Sequence, residues 1–318
     1  MMLIASAPID WNYFAQLGLE GLRNGLLFAL IALGYTMVYG IVELINFAHG
    51  DLFMLGSCLA LSALTVLKIE PAVGSGIPWN LIGGLAVCFC VVPLFCAGLN
   101  LAVDRVIYKP LRNAPKLAPL VSAIGVSFIF MNVGLFWLGP QDVNFPNLLP
   151  SHNLLGEDAK VVLNWETLLV VIVTLPLMIA LTWLVKFTRL GKAMRATAQN
   201  PIAARLMGIN TDRVIGATFL IGGALAGFGS VVYGLTVNTI SYQMGFQNGL
   251  YAFTAAVLGG IGNIPGAVLG GLLIGMVRAF GGDAVGETWT PALVFVVLIV
   301  VLVFRPSGLL GARVRDKV

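Results

Sequence analysis

Long apolar runs, separated by short charged or glycine-rich segments, organise this chain. No Asp, Glu, Lys or Arg occurs in 24–42, 52–67, 71–103, 117–141, 167–185, 214–277 or 288–304. An α-helix needs about 20 residues to cross a bilayer, so each shorter run has roughly the length of one crossing and 214–277 holds about three. The runs are continuously apolar. Membrane barrels instead use short strands of alternating polarity, so helices are expected. The predicted fold is an all-α integral membrane protein, a polytopic helical bundle with about 8–9 transmembrane helices, some of them broken or re-entrant.

Composition agrees. The chain of 318 residues is 58% hydrophobic and 10% charged, whereas a soluble domain carries about 25% charged residues. That much apolar surface requires lipid as its solvent. One transmembrane domain spanning 1–318 is expected. Residues 1–10 lack a basic n-region and a full apolar h-region, so the first helix is expected to direct insertion without a cleaved signal.

Charge sets an expected orientation, because Lys and Arg collect in cytoplasmic loops. Three segments hold most of the 18 basic residues: 103–117, 186–213 and the tail from Arg305. The alternating segments are nearly free of them, with Lys68 in 68–79, Lys160 in 139–165 and none in 236–248. The expected path starts with the N-terminus outside, places 139–165 as an outer loop and 186–213 as the long cytoplasmic loop, and ends with the C-terminus inside. Between 248 and 305 the chain then crosses an odd number of times. Nine crossings result if 249–281 supplies two short ones, and eight if one short segment is re-entrant. The net charge of +4 is dispersed between apolar runs with no aromatic-flanked patch, so no nucleic-acid partner is expected.

Two places break the apolar pattern. "NFAHGD" (46–51) puts Asn46, His49, Gly50 and Asp51 between apolar runs. "GGIGNIPG" (259–266) gathers Gly259, Gly260, Gly262, Asn263 and Pro265 in an uncharged stretch. Asn263 can cap the following helix, and Pro265 suits a first turn. Broken helices survive at membrane depth only against protein or a water-filled cavity, and transporters use them to offer backbone groups to a substrate. Asn46, His49, Gly50, Gly259, Gly260, Gly262 and Asn263 are therefore the candidate pathway residues. Exposed backbone groups and the two asparagines would bind a zwitterion without a trapping fixed charge. For His49, gating the path and hydrogen-bonding a backbone carbonyl both remain open, as do ion-binding and structural roles for Glu43 and Asp51.

The 38 glycines often fall four apart, as in Gly262, Gly266 and Gly270, in Gly271 and Gly275, and in Gly223 and Gly227. That spacing marks faces where helices pack closely in lipid. Cys58, Cys88, Cys90 and Cys96 lie within apolar runs and read as small apolar filler, not metal ligands. No metal site and no catalytic constellation is expected.

Within the long basic loop, "NPIAARLMG" forms a complete miniature helix. Asn200 is a good N-cap, Pro201 fits the first helical position, and Gly208 fits the position just past the end. An isolated helix of about two turns is marginal in water, so something must hold it. Either its own protein's cytoplasmic face holds it, or a soluble partner docks on it through Ile202, Ala203, Leu206 and Met207, with Arg205 directed elsewhere. The chain has no phosphate-binding loop of the G-x-x-x-x-G-K-[ST] type, and intramembrane ionisable groups of the proton- or sodium-relay kind are nearly absent. Active transport would draw its energy from another chain.

Five blocks in order, "ALIALGYTMVYGIVELINFAHGDLFMLG" (29–56), "LVSAIGVSFIFMN" (120–132), "LGKAMRATAQNPIAARLMGINTDRVI" (190–215), "FTAAVLGGIGNIPGAVLGGLLIG" (253–275) and "RPSGLLG" (305–311), resemble the membrane permease of bacterial high-affinity branched-chain amino acid ABC importers, the leucine–isoleucine–valine type. The resemblance implies a subunit of the inner membrane that pairs with a second, homologous permease. An extracytoplasmic binding protein would deliver the amino acid, and two cytoplasmic ATPase subunits would bind ATP and Mg. This chain would bind no cofactor itself. The family's ATPase-coupling region matches 198–210, which assigns coupling to Asn200, Pro201, Ala203, Ala204, Arg205, Leu206 and Gly208. Family members also import urea or short amides and, more distantly, sugars. The rival class is a self-sufficient ion-coupled secondary transporter, for which Glu43 and Asp51 are the acidic candidates. A channel or a membrane enzyme finds less support, since no ring of like charges and no paired carboxylates occur.

Overall fold

A computed structural model describes residues 10–69, 79–112, 114–115, 117–150, 152–156 and 159–311. The expectation of no cleaved signal, most of segment 68–79, Lys116 and the basic tail beyond 311 lie outside the described residues.

The helices, in chain order, are α1 (Trp11–Val42), α2 (Ala48–Val66), α3 (Trp79–Val103), α4 (Lys109–Leu111), α5 (Leu117–Leu138), α6 (Trp165–Phe187), α7 (Arg189–Gln199), α8 (Pro201–Leu206), α9 (Thr211–Val237), α10 (Met244–Gly259), α11 (Ile264–Val285) and α12 (Thr290–Phe304). A π-helical turn over Asp104–Tyr108 joins α3 to α4. Among the described residues, 8 helical stretches are long and apolar enough to cross a membrane. The 16-residue α10 is shorter and is not among these 8. Both expected totals thus follow from how α10 is counted.

The bundle is organised about α1, α2 and α9, whose long middle stretches are buried. At the periphery, α5, α6 and α12 expose Phe136, Ile179 and Phe304, as expected of helices that face lipid or another subunit.

Two ends can be told apart. At one, β1 (Val143–Asn144) pairs antiparallel with β2 (Thr239–Ile240), joining the loop after α5 to the loop after α9. The start of α1 lies here too, since the Val162 amide donates to Gln16 Oε1 at 2.9 Å. At the other end, Arg112 bridges Asp104 at 2.7 Å and Asp212 at 2.5 Å, and Lys109 adds a contact to Asp212 at 3.2 Å. These pairs lock α4 to the first turn of α9. The basic segments thus gather at one end and the strand pair marks the opposite one.

The glycine spacings resolve into separate interfaces. A β-carbon at Gly266 or Gly270 would fall within 3.0 Å of the α10 backbone, one at Gly271 or Gly275 within 3.0 Å of the α1 backbone, and one at Gly223 or Gly227 within 3.0 Å of the α3 backbone. With so little apolar gain available between helices in lipid, this close backbone approach supplies the packing.

Two helices begin inside the bundle. The chain leaves α1 at Glu43, a left-handed cap with φ 56°. It then runs without regular structure to Phe47 and starts α2 beside Gly34 of α1. Gly34 lies about 12 Å along the axis from the end of α1 at Val42. From the strand end, 238–243 likewise carries the chain inward, so that the first turn of α10 packs on the first turn of α2.

Candidate functional site

The first break is pinned by a buried polar network. Asn46 donates to Asn100 Oδ1 on α3 at 3.1 Å and accepts from the Tyr108 hydroxyl at 3.2 Å. Asn100 in turn donates to the Phe219 carbonyl of α9 at 2.6 Å. Asn46, Asn100 and Tyr108 are all buried. Hydrogen-bonded partners offset the cost of removing such groups from water, and here they fix an irregular backbone stretch to two neighbouring helices. Asn46 is therefore committed to its own protein.

His49 follows in the first turn of α2. Its ring packs edge-on against Tyr35, centroids 4.7 Å apart. Neither ring nitrogen makes a hydrogen bond among the described residues; the Ile31 carbonyl is directed toward the imidazole without reaching hydrogen-bond geometry. Gly34 provides the room, because a β-carbon there would fall within 3.0 Å of the imidazole. Tyr35, Val38, Asn46 and His49 enclose a cavity with Phe253 of α10 and Ile261 of the second break. It holds about 320 Å3 of space between atoms, mostly in slots narrower than a water molecule. The two breaks thus share a cavity that is closed to a leucine-sized solute.

Gly50 and Asp51 form the crossing of α2 with α10. A β-carbon at Gly50 would fall within 3.0 Å of the Gly245 carbonyl oxygen and the Gly249 Cα. Asp51 is buried and accepts from the Ser127 hydroxyl of α5 through Oδ2, while Oδ1 has no partner among the described residues. Glu43 serves as a helix cap. Ser127 also lines an open cleft of about 1020 Å3 between α5 and α10, walled by Ile124, Phe128, Met131, Phe246, Gln247 and Leu250.

The second break lies nearer the basic end. Gly260 and Gly262 adopt φ 101° and 88°, a backbone that glycine alone adopts readily. Asn263 caps α11 by accepting from the Gly266 amide at 3.1 Å, and donates to the Leu310 carbonyl at 2.7 Å. The Leu309 and Leu310 amides donate to the Leu258 and Gly259 carbonyls at 2.9 and 3.1 Å. Gly259, Gly260 and Asn263 are thus covered by the 308–311 segment, and Gly262 faces Gly40 at the end of α1.

Helix α8 carries the expected caps. Asn200 Oδ1 accepts from the Ile202 and Ala203 amides, both at 3.0 Å, and Gly208 takes φ 82° past the end. Pro201 stands at its first position. Ile202, Leu206 and Met207 are 71%, 84% and 83% exposed, whereas Ala204 is 4% exposed. Arg205 is held back on the Thr211 hydroxyl at 2.8 Å. Of the coupling candidates, Ala204 faces its own protein, because it lies across the helix from the 202–206 stripe. An exposed apolar stripe on so short a helix is unusual for a loop in water.

Residues 18–303 match the family model described as the branched-chain amino acid transport system / permease component. The chain belongs to this family. It is 41% identical to the high-affinity branched-chain amino acid transport system permease protein BraD of Pseudomonas aeruginosa, over 98% of this chain and 100% of BraD. It is 39% identical to the corresponding permease protein LivH of Escherichia coli K12, over 96% of this chain and 98% of LivH. A more distant relative, the autoinducer 2 import system permease protein LsrC of Escherichia coli, is 27% identical over 59% of this chain and 56% of LsrC.

In this permease, Asn100, Tyr108 and Ser127 complete the site, and the pattern of breaks does not point to them. Asn100 and Ser127 each sit in an apolar helix where a lone polar residue has no local partner, and Tyr108 lies in the π-helical turn after α3. Replacing Asn100 by alanine strands the Asn46 amide and the Phe219 carbonyl. We expect it to lower stability by about 1–3 kcal/mol, read as an earlier thermal unfolding transition of the purified complex in detergent. An unchanged transition would show that the network does not hold the break.

Proposed function

We propose that this permease is one of two membrane subunits of an ATP-driven importer of leucine, isoleucine and valine, delivered by an extracytoplasmic binding protein. The observation that carries the reading is the match to BraD and LivH over nearly the full length of all three chains. Two cytoplasmic ATPase subunits would bind the nucleotide and Mg, and this chain would bind neither. The stripe of Ile202, Leu206 and Met207 on α8 is the surface offered to one ATPase. In the pathway, the crossing of α2 and α10 at Gly50 and the His49 cavity form the constriction, with Asn46 holding it. The second break, Gly259 to Asn263 under the 308–311 segment, seals the cytoplasmic end. A second permease would cover the cleft between α5 and α10. The direct test is uptake of radiolabelled leucine by cells expressing the whole importer, with and without this chain. Uptake that survives its deletion would overturn the reading.

The basic end would face the cytoplasm and the strand end the outside. Lys192 and Gln141 are both exposed, at opposite ends. In a background without native cysteines, Gln141→Cys should react with an impermeant thiol reagent added to intact cells, and Lys192→Cys only after lysis. The reverse pattern would invert the protein and remove α8 from the ATPase side.

A further inference from the structure

One ionisable group within the apolar helices is left unused by this reading. Arg278 lies on α11 about 10 Å along the axis from the helix end at Val285. Its guanidinium stacks on the rings of Phe28 and Tyr251, 5.7 and 5.5 Å from their centroids. It forms no ion pair among the described residues. A charge held at such depth is costly, and residues of this kind mark substrate paths.

Arg278 looks into a cup at the strand end. The facing wall is one stripe of α1, formed by Tyr13, Leu17, Glu20 and Asn24. These positions fall on one helix face at spacings of three and four. Below the cup, α1 and α11 close on each other where Gly21 meets Met276 and Gly25 meets Leu272, which gives the cup a floor. The space is about 400 Å3, within the range of about 300–1,000 Å3 usual for ligand sites. Glu20 is half-buried and in no ion pair among the described residues, Asp283 accepts from the Tyr13 hydroxyl, and Glu287, a third carboxylate lining the cup, is exposed to solvent. Arg278 and Glu20 therefore present opposite charges to one cavity without neutralising each other directly. The aromatic rings hold the guanidinium in place and leave its N–H groups without a protein acceptor among the described residues.

We propose that this cup binds a zwitterionic α-amino acid, Arg278 taking its carboxylate and Glu20 its ammonium group. A planar guanidinium suits a carboxylate through paired hydrogen bonds. Leu17, Ala279 and Gly282 leave an apolar wall with room for a branched side chain. Urea and simple amides carry no carboxylate and leave Arg278 unmatched. The inference rests on the import reading, for which the cup is the first station on the outer side.

The test uses the complete importer in membranes, in a background without native cysteines. Asn24→Cys places a thiol in the cup, and its rate of modification by an impermeant reagent is followed. Millimolar leucine should slow modification, whereas leucinamide and urea should not. Adding Arg278→Gln should weaken protection by about 10- to 100-fold in leucine concentration, the value of a lost hydrogen bond to a charged group. Glu20→Gln should weaken it similarly, and complex yield is measured for each variant. Protection by leucine that survives Arg278→Gln, or equal protection by leucinamide, overturns the proposal. So does the absence of leucine protection in the parent while leucine uptake is normal. If the importer takes up no leucine yet another α-amino acid protects through Arg278, the cup stands and the assigned substrate falls.

Discussion

Replacing Ile202 and Leu206 together by aspartate is expected to abolish leucine uptake and ATPase co-purification, with the permease still present in the membrane at normal levels. Both side chains are largely exposed in this chain, so its own fold loses little packing. The cost falls on the complex, where two carboxylates would have to enter an apolar contact. Burying an unpaired charge costs several kcal/mol, and a drop of about 100-fold or more in ATPase affinity follows. The caps at Asn200 and Gly208 are untouched, so the helix itself persists. Ala204→Asp is not an equivalent test. Ala204 is packed against its own protein, and a carboxylate there would disturb the permease before any partner arrives. Normal ATPase recovery with the Ile202/Leu206 variant would mean that the stripe contacts something else, and the coupling surface would have to be sought elsewhere at the basic end.

That α8 exists, and where it starts and stops, was legible because its signals are local. Asn200, Pro201 and Gly208 act within a few residues of the backbone they cap. The membrane crossings were legible for a similar reason, since lipid leaves each spanning segment to satisfy its own backbone and charge-free runs report that directly. The polar break at 46–51 also announced itself, being out of place in its surroundings. What holds the break did not. Asn46 finds Asn100 and Tyr108 across 54 and 62 residues of chain, and Asp51 finds Ser127 across 76. Nothing in the local pattern of α3 or α5 marks those partners. Arg278 sits just past the longest charge-free run and reads there as a boundary. Only the packing of α11 against α1 and α10 shows it stacked between rings, facing a glutamate from the first helix. The face of Ala204 was missed because a six-residue helix gives too little periodicity to separate its inner side from its outer one.

The inward start of α10 was the least legible element, and it carries the second large expected effect. The 64 uncharged residues of 214–277 give no hint that 238–243 returns into the bundle and sets Gly245 and Gly249 on Gly50. Gly50→Leu should therefore collapse both complex yield and uptake. Overpacking in a well-filled interior typically costs about 1–3 kcal/mol, and more when nothing can yield. Here the obstacles are the backbones of α10 at Gly245 and Gly249, so relief requires α2 and α10 to part. Parting them would also open the His49 cavity, which Phe253 and Ala256 of α10 line. Gly83→Leu on α3 is the matched control, because a β-carbon there meets nothing within 4 Å. Glycine is also a poor helix former, by about 1 kcal/mol relative to the best residues, so the control should be neutral or slightly stabilising. The measurements are yield of the assembled complex, its thermal transition and leucine uptake. If Gly50→Leu assembles and transports like the parent, the two helix starts do not meet there in the working protein, and the constriction placed at their crossing must be given up.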